Sequence, residues 1–217
     1  MTTTASKPKE LSKPKEVSEP KEVTSELMSL EDFLNYDDGT DACYELENGR
    51  LLYMPSESEI NRRIASFLFV YFAQLGIPFY RLSIGTEVVV MGSRSTVRVP
   101  DLMVLTEELA QVMSGASRSI VMSDMPSPQL VIEVVSPGKE NENRDYRYKK
   151  SQYQAREIDE YWIVDPIQEK ITILTLVEGL YEEVEFTGDA VISSNLLSEL
   201  GQESPLTVAQ VLQTEKS

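Results

Sequence analysis

The sequence predicts an α/β domain in which a mixed sheet is flanked by helices. Two strands carry that prediction. Residues 129–136 (QLVIEVVS) and 160–165 (EYWIVD) are short, rich in β-branched and aromatic residues, and apolar on both faces, as in strands covered on each side. Between them, residues 144–157 (RDYRYKKSQYQARE) have the length of a helix, and strand–helix–strand order suits a parallel crossover. The third observation lies upstream. Ile60, Ile64, Phe67, Leu68, Tyr71 and Leu75 recur at helical spacing before Gly76 and Pro78 close the segment.

Taken in order, the chain opens on a repeat. Residues 7–24 read KPKELS, KPKEVS, EPKEVT, with a proline in every unit and little to bury. Residues 1–26 are therefore expected to be a disordered, solvated tail, with the folded domain spanning 27–217. Ser29 and Asp32 have capping-box spacing ahead of Phe33 and Leu34. Residues 43–46 and 50–54 flank Asn48-Gly49, the dipeptide that suits a primed hairpin turn. Further strands are expected at 79–82, 87–91 and 97–105, and a helix at 106–113. A Ser/Pro/Met-rich connection leads to the central strand, and a polar loop at 137–143 leads from it to the 144–157 helix. Residues 170–177 and 181–186 alternate as a hairpin, and 206–212 form a closing helix capped by Ser204 or Thr207.

Composition narrows the chemistry. The chain has 217 residues, enough for one sizeable core, and a single cysteine, so no intrachain disulfide framework forms. With no histidine, Ser-His-Asp and Cys-His catalysis and histidine-based zinc sites are excluded. Carboxylates remain as metal ligands, and they suit hard cations such as magnesium or manganese. No run approaches the roughly 18 apolar residues of a membrane span, and the start lacks a signal-peptide centre, so the expected location is cytoplasmic. The net charge of −16 argues against indiscriminate attraction to nucleic acid while leaving room for a local basic site.

Two acids stand out. Glu133 sits in mid-strand, where an uncompensated carboxylate costs several kcal/mol. Asp101 follows Pro100 in an apolar stretch and, on one continuous strand, shares a face with Val97, Val99, Met103 and Leu105. Pro-Asp alone reads as a turn. If the two strands are neighbours, the pair can share a divalent cation that relieves desolvation and mutual repulsion. The helix after Glu133 is locally basic, with Lys149, Tyr153 and Arg156 on one stripe and Asp145 a turn earlier. Ordinary ion pairs on a solvated face, or a structural Glu133–Lys149 pair, are the alternatives.

Arg98-Val-Pro-Asp101, Leu130-Val-Ile-Glu133-Val-Val-Ser136-Pro137, Arg144-Asp145, Lys149-xxx-Tyr153 and Glu160-Tyr-Trp-Ile-Val-Asp165-Pro166 together resemble the Uma2 (DUF820) family, common in cyanobacteria and classed as restriction-endonuclease-like. Tyr44-Glu45-Leu46 with Gly49 and the helix after Pro55 resemble its amino-terminal part, so the likeness covers residues 28–212. It implies a PD-(D/E)xK core: a mixed sheet flanked by helices, with a metal-dependent endonuclease site hydrolysing DNA, RNA being a second candidate. The resemblance implies catalytic roles for Asp101, Glu133 and Lys149, with magnesium or manganese on Asp101 and Glu133. Glu45 is implied as an accessory group; Tyr153 is a further accessory candidate, and Arg144, Arg147, Lys150 and Arg156 of the locally basic helix are candidate nucleic-acid contacts. Val135 stands where the general nuclease motif has its lysine, and Lys149 matches the family's lysine in the following helix. Asn61 stands where members commonly have a histidine. The alternative is a catalytically silent member that binds a partner or dimerises; a homodimer is compatible with either reading.

Overall fold

The computed structural model describes residues 20–201 and 205–212. Most of the proline-bearing repeat and the expected cap Ser204 lie outside them.

The first strand, β1 (Lys21–Glu22), pairs antiparallel with Leu52 and Tyr53, and Arg50 Nη1 donates to both carboxylate oxygens of Glu22 at 2.6 and 2.8 Å. This short strand lies within the stretch assigned to the tail, so sheet pairing begins ahead of the expected boundary at 27. A polar, proline-flanked strand gives no periodic signal; the hairpin edge supplies its hydrogen bonds. Deleting residues 1–24 is accordingly expected to cost up to about 1 kcal/mol, about 2–4 °C in Tm. Deleting 1–24 should lower Tm relative to deleting 1–19, which keeps β1, and calorimetry of both truncations measures the difference.

Helix α1 (Leu30–Leu34) opens on the expected capping box. Strands β2 (Cys43–Glu47) and β3 (Arg50–Met54) form the expected hairpin, with Asn48 and Gly49 both at positive φ, as a primed turn requires. Helix α2 (Glu59–Gln74) is capped by Ser58. Its buried face holds Ile64, Ala65, Leu68 and Phe72 but also Asn61, while Ile60 is 47% exposed. Apolar spacing therefore placed the start of the stripe one residue early, because a polar side chain is inside.

A 3₁₀ turn (Phe79–Arg81) precedes β4 (Leu82–Ser83), and β5 (Glu87–Val90) follows. The strand expected over 97–105 is two strands, β6 (Thr96–Arg98) and β7 (Leu102–Val104), which belong to different sheets. Pro100, with no N–H to donate, breaks the ladder where the chain crosses over. Helix α3 (Glu107–Met113) leads to β8 (Ile120–Val121), a short strand inside the stretch expected to be irregular.

The central strand β9 (Leu130–Val134) is buried throughout. The polar stretch after it is not a loop: α4 (Lys139–Asn143), a π-helical turn (Arg144–Lys149) and α5 (Lys150–Ala155) run on continuously. Pro137 O accepts from Asn141 Nδ2 at 2.7 Å, fixing a start that KENEN, without apolar periodicity, does not announce. Strands β10 (Glu160–Asp165), β11 (Lys170–Val177) and β12 (Leu180–Thr187) follow as expected. Helix α6 (Asn195–Glu199) is additional, and α7 (Val208–Leu212) closes the domain, with Thr207 Oγ1 accepting from Gln210 N at 3.3 Å.

The result is a mixed α+β architecture with two six-stranded mixed sheets, ordered β1-β3-β2-β6-β5-β8 and β12-β11-β10-β9-β7-β4. In the second, β9 runs parallel to β10 and antiparallel to β7. Leu130, Ile132 and Val134 pack with Leu68, Phe72 and Trp162 on one face; Val131 and Val135 pack with Tyr153 and Tyr161 on the other. Both faces being covered explains the unbroken apolar run in which Glu133 is the exception.

Candidate active site

The acid pair is assembled by the break at Pro100. Strand β7 pairs Leu102 with Ile132, and Asp101, just before that strand, lies in the same cleft as Glu133, close enough for the Glu133 charge to act on it. Because β7 starts only at Leu102, Val134 has no strand on that side, and side chains take the missing strand's place. Asp101 Oδ2 accepts from Val134 N at 2.6 Å, and Asn61 Nδ2 donates to Val134 O at 3.0 Å. Asn61 also donates to Ser136 Oγ at 3.0 Å and accepts from Ser58 Oγ at 2.7 Å, tying the start of α2 to the end of β9.

Glu133 is held from the helix that follows it. Tyr153 Oη donates to Glu133 Oε1 at 2.5 Å, and Lys149 Nζ lies 2.8 Å from Glu133 Oε2 and 2.9 Å from Asp145 Oδ1. Tyr153 and Lys149 thus share the face that the spacing predicts, but Arg156 does not join them. The π-helical turn buries Arg144, Asp145 and Lys149 together and leaves Arg147 exposed. Such turns recur at functional sites. Asp145 was not among the expected site residues; its spacing of four from Lys149 was the available signal.

These neighbours set the charges. Burial pushes the Glu133 carboxyl up to about 7, against the pull of Lys149 and with the added charges of Asp145 and Glu45. Asp101 is raised well above the usual carboxylate range by burial and by Glu133, the Val134 amide only partly opposing this. For Lys149, burial disfavours the ammonium, but Asp145 and Glu133 outweigh it and raise its pKa. The lysine is therefore charged, and the two acids cannot both ionise cheaply without a further cation.

A second network stands beside the first. Glu45 Oε2 accepts from Arg98 Nη1 at 2.9 Å and from Arg144 Nη2, and Glu45 Oε1 accepts from Val99 N at 3.1 Å. Burial opposes ionisation, but Arg144 and Arg98 hold Glu45 down to about 2. Arg98, fully buried, also donates from Nε to Gln152 Oε1 at 2.9 Å, and its Nη2 lies 3.2 Å from Glu47 Oε1. Glu45, expected to approach the metal, is thus engaged with two arginines. Glu45→Ala leaves both guanidinium groups buried without that carboxylate, and a loss of about 3–5 kcal/mol is expected in urea unfolding, with Glu45→Gln intermediate.

The four basic residues expected to meet nucleic acid are dispersed. Arg144 lies inside the cleft on Glu45. Lys150 pairs with Glu183 on β12. Arg156 donates from Nη2 to Met122 O at 2.9 Å and Met125 O at 2.7 Å, bracing the connection before β9. Arg147 is exposed.

Asp101, Glu133, Lys149, Asp145, Arg144 and Asn61 all line one cleft of about 350 Å³. The family model described as "Uma2: Putative restriction endonuclease" matches residues 30–209. The chain belongs to the Uma2 family. A crystal structure of a "putative nuclease belonging to DUF820" from Anabaena variabilis ATCC 29413 aligns at a TM-score of 0.64 and 16% identity, covering 86% of this chain and 98% of that one. At that identity the likeness establishes a common fold. Comparison with curated proteins returned no match. No helix among the described residues is long and apolar enough to cross a membrane.

Whether this Uma2 site suits a metal is decided by its donors. Among the described residues no group of three or more acid, histidine or cysteine side chains could hold a metal ion. Of the described residues, the acids inside the cleft that face no guanidinium are Asp101, Glu133 and Asp145, the last two sharing Lys149, and magnesium is commonly held by one or two carboxylates while keeping its waters. Glu45 and Glu47 face Arg98 and Arg144, and Lys149 is shared by Glu133 and Asp145. Among the described residues Asp101 accepts a backbone N–H, and the pull of Lys149 on it is weaker than the opposing effects of burial and Glu133. The excess of buried negative charge lies where a hard cation would complete it, so the donor set fits.

Proposed function

We propose that this Uma2 protein is a magnesium-dependent endonuclease that hydrolyses phosphodiester bonds of DNA, with manganese able to replace magnesium. The observation that carries this reading is Asp101: a carboxylate in the cleft, disfavoured by desolvation and by the charge of Glu133 more than the Val134 N–H and Lys149 offset. Asp101 and Glu133 would hold the ion, which supplies Lewis-acid charge on the phosphate and lowers the pKa of the hydrolytic water. Tyr153 fixes the Glu133 carboxylate by its hydrogen bond, and Asp145 keeps Lys149 charged and directed at the pair. From there the Lys149 ammonium can neutralise charge that develops on a phosphate oxygen. Arg144, lining the same cleft, offers a further donor to the phosphate.

The test is cleavage of DNA with and without magnesium, combined with two lysine variants. Lys149→Ala is expected to lose turnover by about two orders of magnitude or more while still binding magnesium, because both carboxylates remain. Lys150→Ala, which removes only the pair with Glu183, should change turnover little. Single-turnover kinetics and magnesium titration of both check this; an inactive Lys150→Ala with an active Lys149→Ala would remove Lys149 from the mechanism.

One observation favours a second reading. Lys149 and Tyr153 already partner Glu133, which also suits a catalytically silent member whose acid is structural. That protein would show no magnesium-dependent cleavage and no magnesium-dependent rise in Tm.

A further inference from the structure

The mouth of the cleft carries the opposite charge to a nucleic-acid track. We infer that this site, on the nuclease reading above, acts on single-stranded DNA and discriminates against continuous duplex.

The cleft, about 350 Å³, is at the small end of ligand pockets. Its basic side chains are Arg144 and Lys149, and each is already held by carboxylates, Arg144 by Glu45 and Lys149 by Glu133 and Asp145. The cleft-lining acids that are exposed, and so stand at its mouth, are Asp41 and Glu57. Beyond the cleft, Lys150 is paired with Glu183, and Glu182 and Glu185 of the same strand are exposed as well. Arg156 is committed to backbone carbonyls.

A duplex carries a charge for about every 1.7 Å of its axis, and proteins that grip it neutralise several phosphates with lysine and arginine. Drawing one duplex phosphodiester down to Asp101 and Glu133 would bring flanking phosphates of both strands over Asp41 and Glu57, while the cations among the described residues that line the cleft, Arg144 and Lys149, are already paired. A single strand presents fewer charges and bends about its own backbone, so one phosphate can enter while its neighbours turn away from the mouth. The chain's net charge of −16 acts in the same direction.

The experiment uses the full chain with a labelled single strand and the duplex of the same sequence. Cleavage is followed in magnesium and binding by anisotropy in calcium. Single-strand cleavage at least about tenfold faster than duplex cleavage is expected, with a matching order of affinities. The Asp41→Asn/Glu57→Gln double variant should narrow that ratio several-fold by improving the duplex. Equal or faster cleavage of duplex by the unsubstituted protein, or a ratio unmoved in the double variant, would overturn the inference and leave the nuclease reading in place. Tighter binding of the single strand without cleavage of either substrate would remove the nuclease reading and keep the preference. Neither binding nor cleavage of either substrate overturns both.

Discussion

Asp101→Asn is expected to abolish magnesium-dependent cleavage and at the same time to raise the Tm of the metal-free protein. Both effects have one origin. Asp101 shares the cleft with Glu133, and its own carboxyl is driven upward by burial and by the Glu133 charge. An asparagine retains an oxygen for the Val134 N–H but adds no charge, so it relieves the repulsion and removes the ligand together. Relief of about 1–2 kcal/mol would raise Tm by several degrees in a domain of this size. Glu133→Gln should be equally inactive, but without the stability gain, because it leaves the buried Lys149 with Asp145 alone. Calorimetry in a chelator beside single-turnover cleavage checks both variants. A large loss of stability in Asp101→Asn would make its carboxylate a structural acceptor instead.

The second large effect is the pH dependence of the metal-free protein. Glu133 rises from 4.5 to about 7 in the fold because burial disfavours its charge. A carboxyl raised by folding stabilises most below its unfolded value and loses that contribution as pH rises through 4.5 to about 7. For Glu133 alone the loss is about 3 kcal/mol, and Asp101 shifts in the same direction. Glu45 has the opposite sign: depressed to about 2 by its arginines, it stabilises above 4.5 and loses that contribution as pH falls toward 2. Metal-free Tm should therefore be highest near the unfolded carboxylate range and fall on either side. Magnesium should restore the alkaline loss and have little effect at acid pH, where the pair is protonated. Thermal scans in chelator and in magnesium across this range measure it; a flat metal-free profile above 4.5 would show that Lys149 already compensates Glu133 in full.

How much of this was legible in the sequence differs by level. Strands β9, β10 and β11, the β2–β3 hairpin and the capping box of α1 were readable because each depends on local pattern: apolar runs, Asn-Gly and Ser-x-x-Asp spacing. The division of 97–105 between two sheets was not, since Pro100 in an apolar run is equally compatible with a bulge or an edge. Within the site, Asp101 and Glu133 were visible as charges out of place. Asp145 and Arg98 were less visible, because on the page they are an ordinary helix acid and an ordinary strand base. Their significance comes from burial against Lys149 and Glu45, a tertiary fact. The same burial sets Arg144, expected as a nucleic-acid contact, on Glu45 inside the cleft, and turns Glu45 from an expected metal neighbour into the anchor of two arginines. Asn61 carried a composition signal, a polar residue at a core position of α2, that apolar counting treats as noise.

The central claim is that Asp101 and Glu133 together hold one divalent cation. Manganese binding followed by electron paramagnetic resonance, above the value of about 7 to which burial raises Glu133, tests it most directly. The account predicts saturable binding of one ion per chain that is lost in Asp101→Asn and in Glu133→Gln and retained in Lys149→Ala. Binding unchanged in Asp101→Asn, or no saturable binding in the unsubstituted protein, would contradict it.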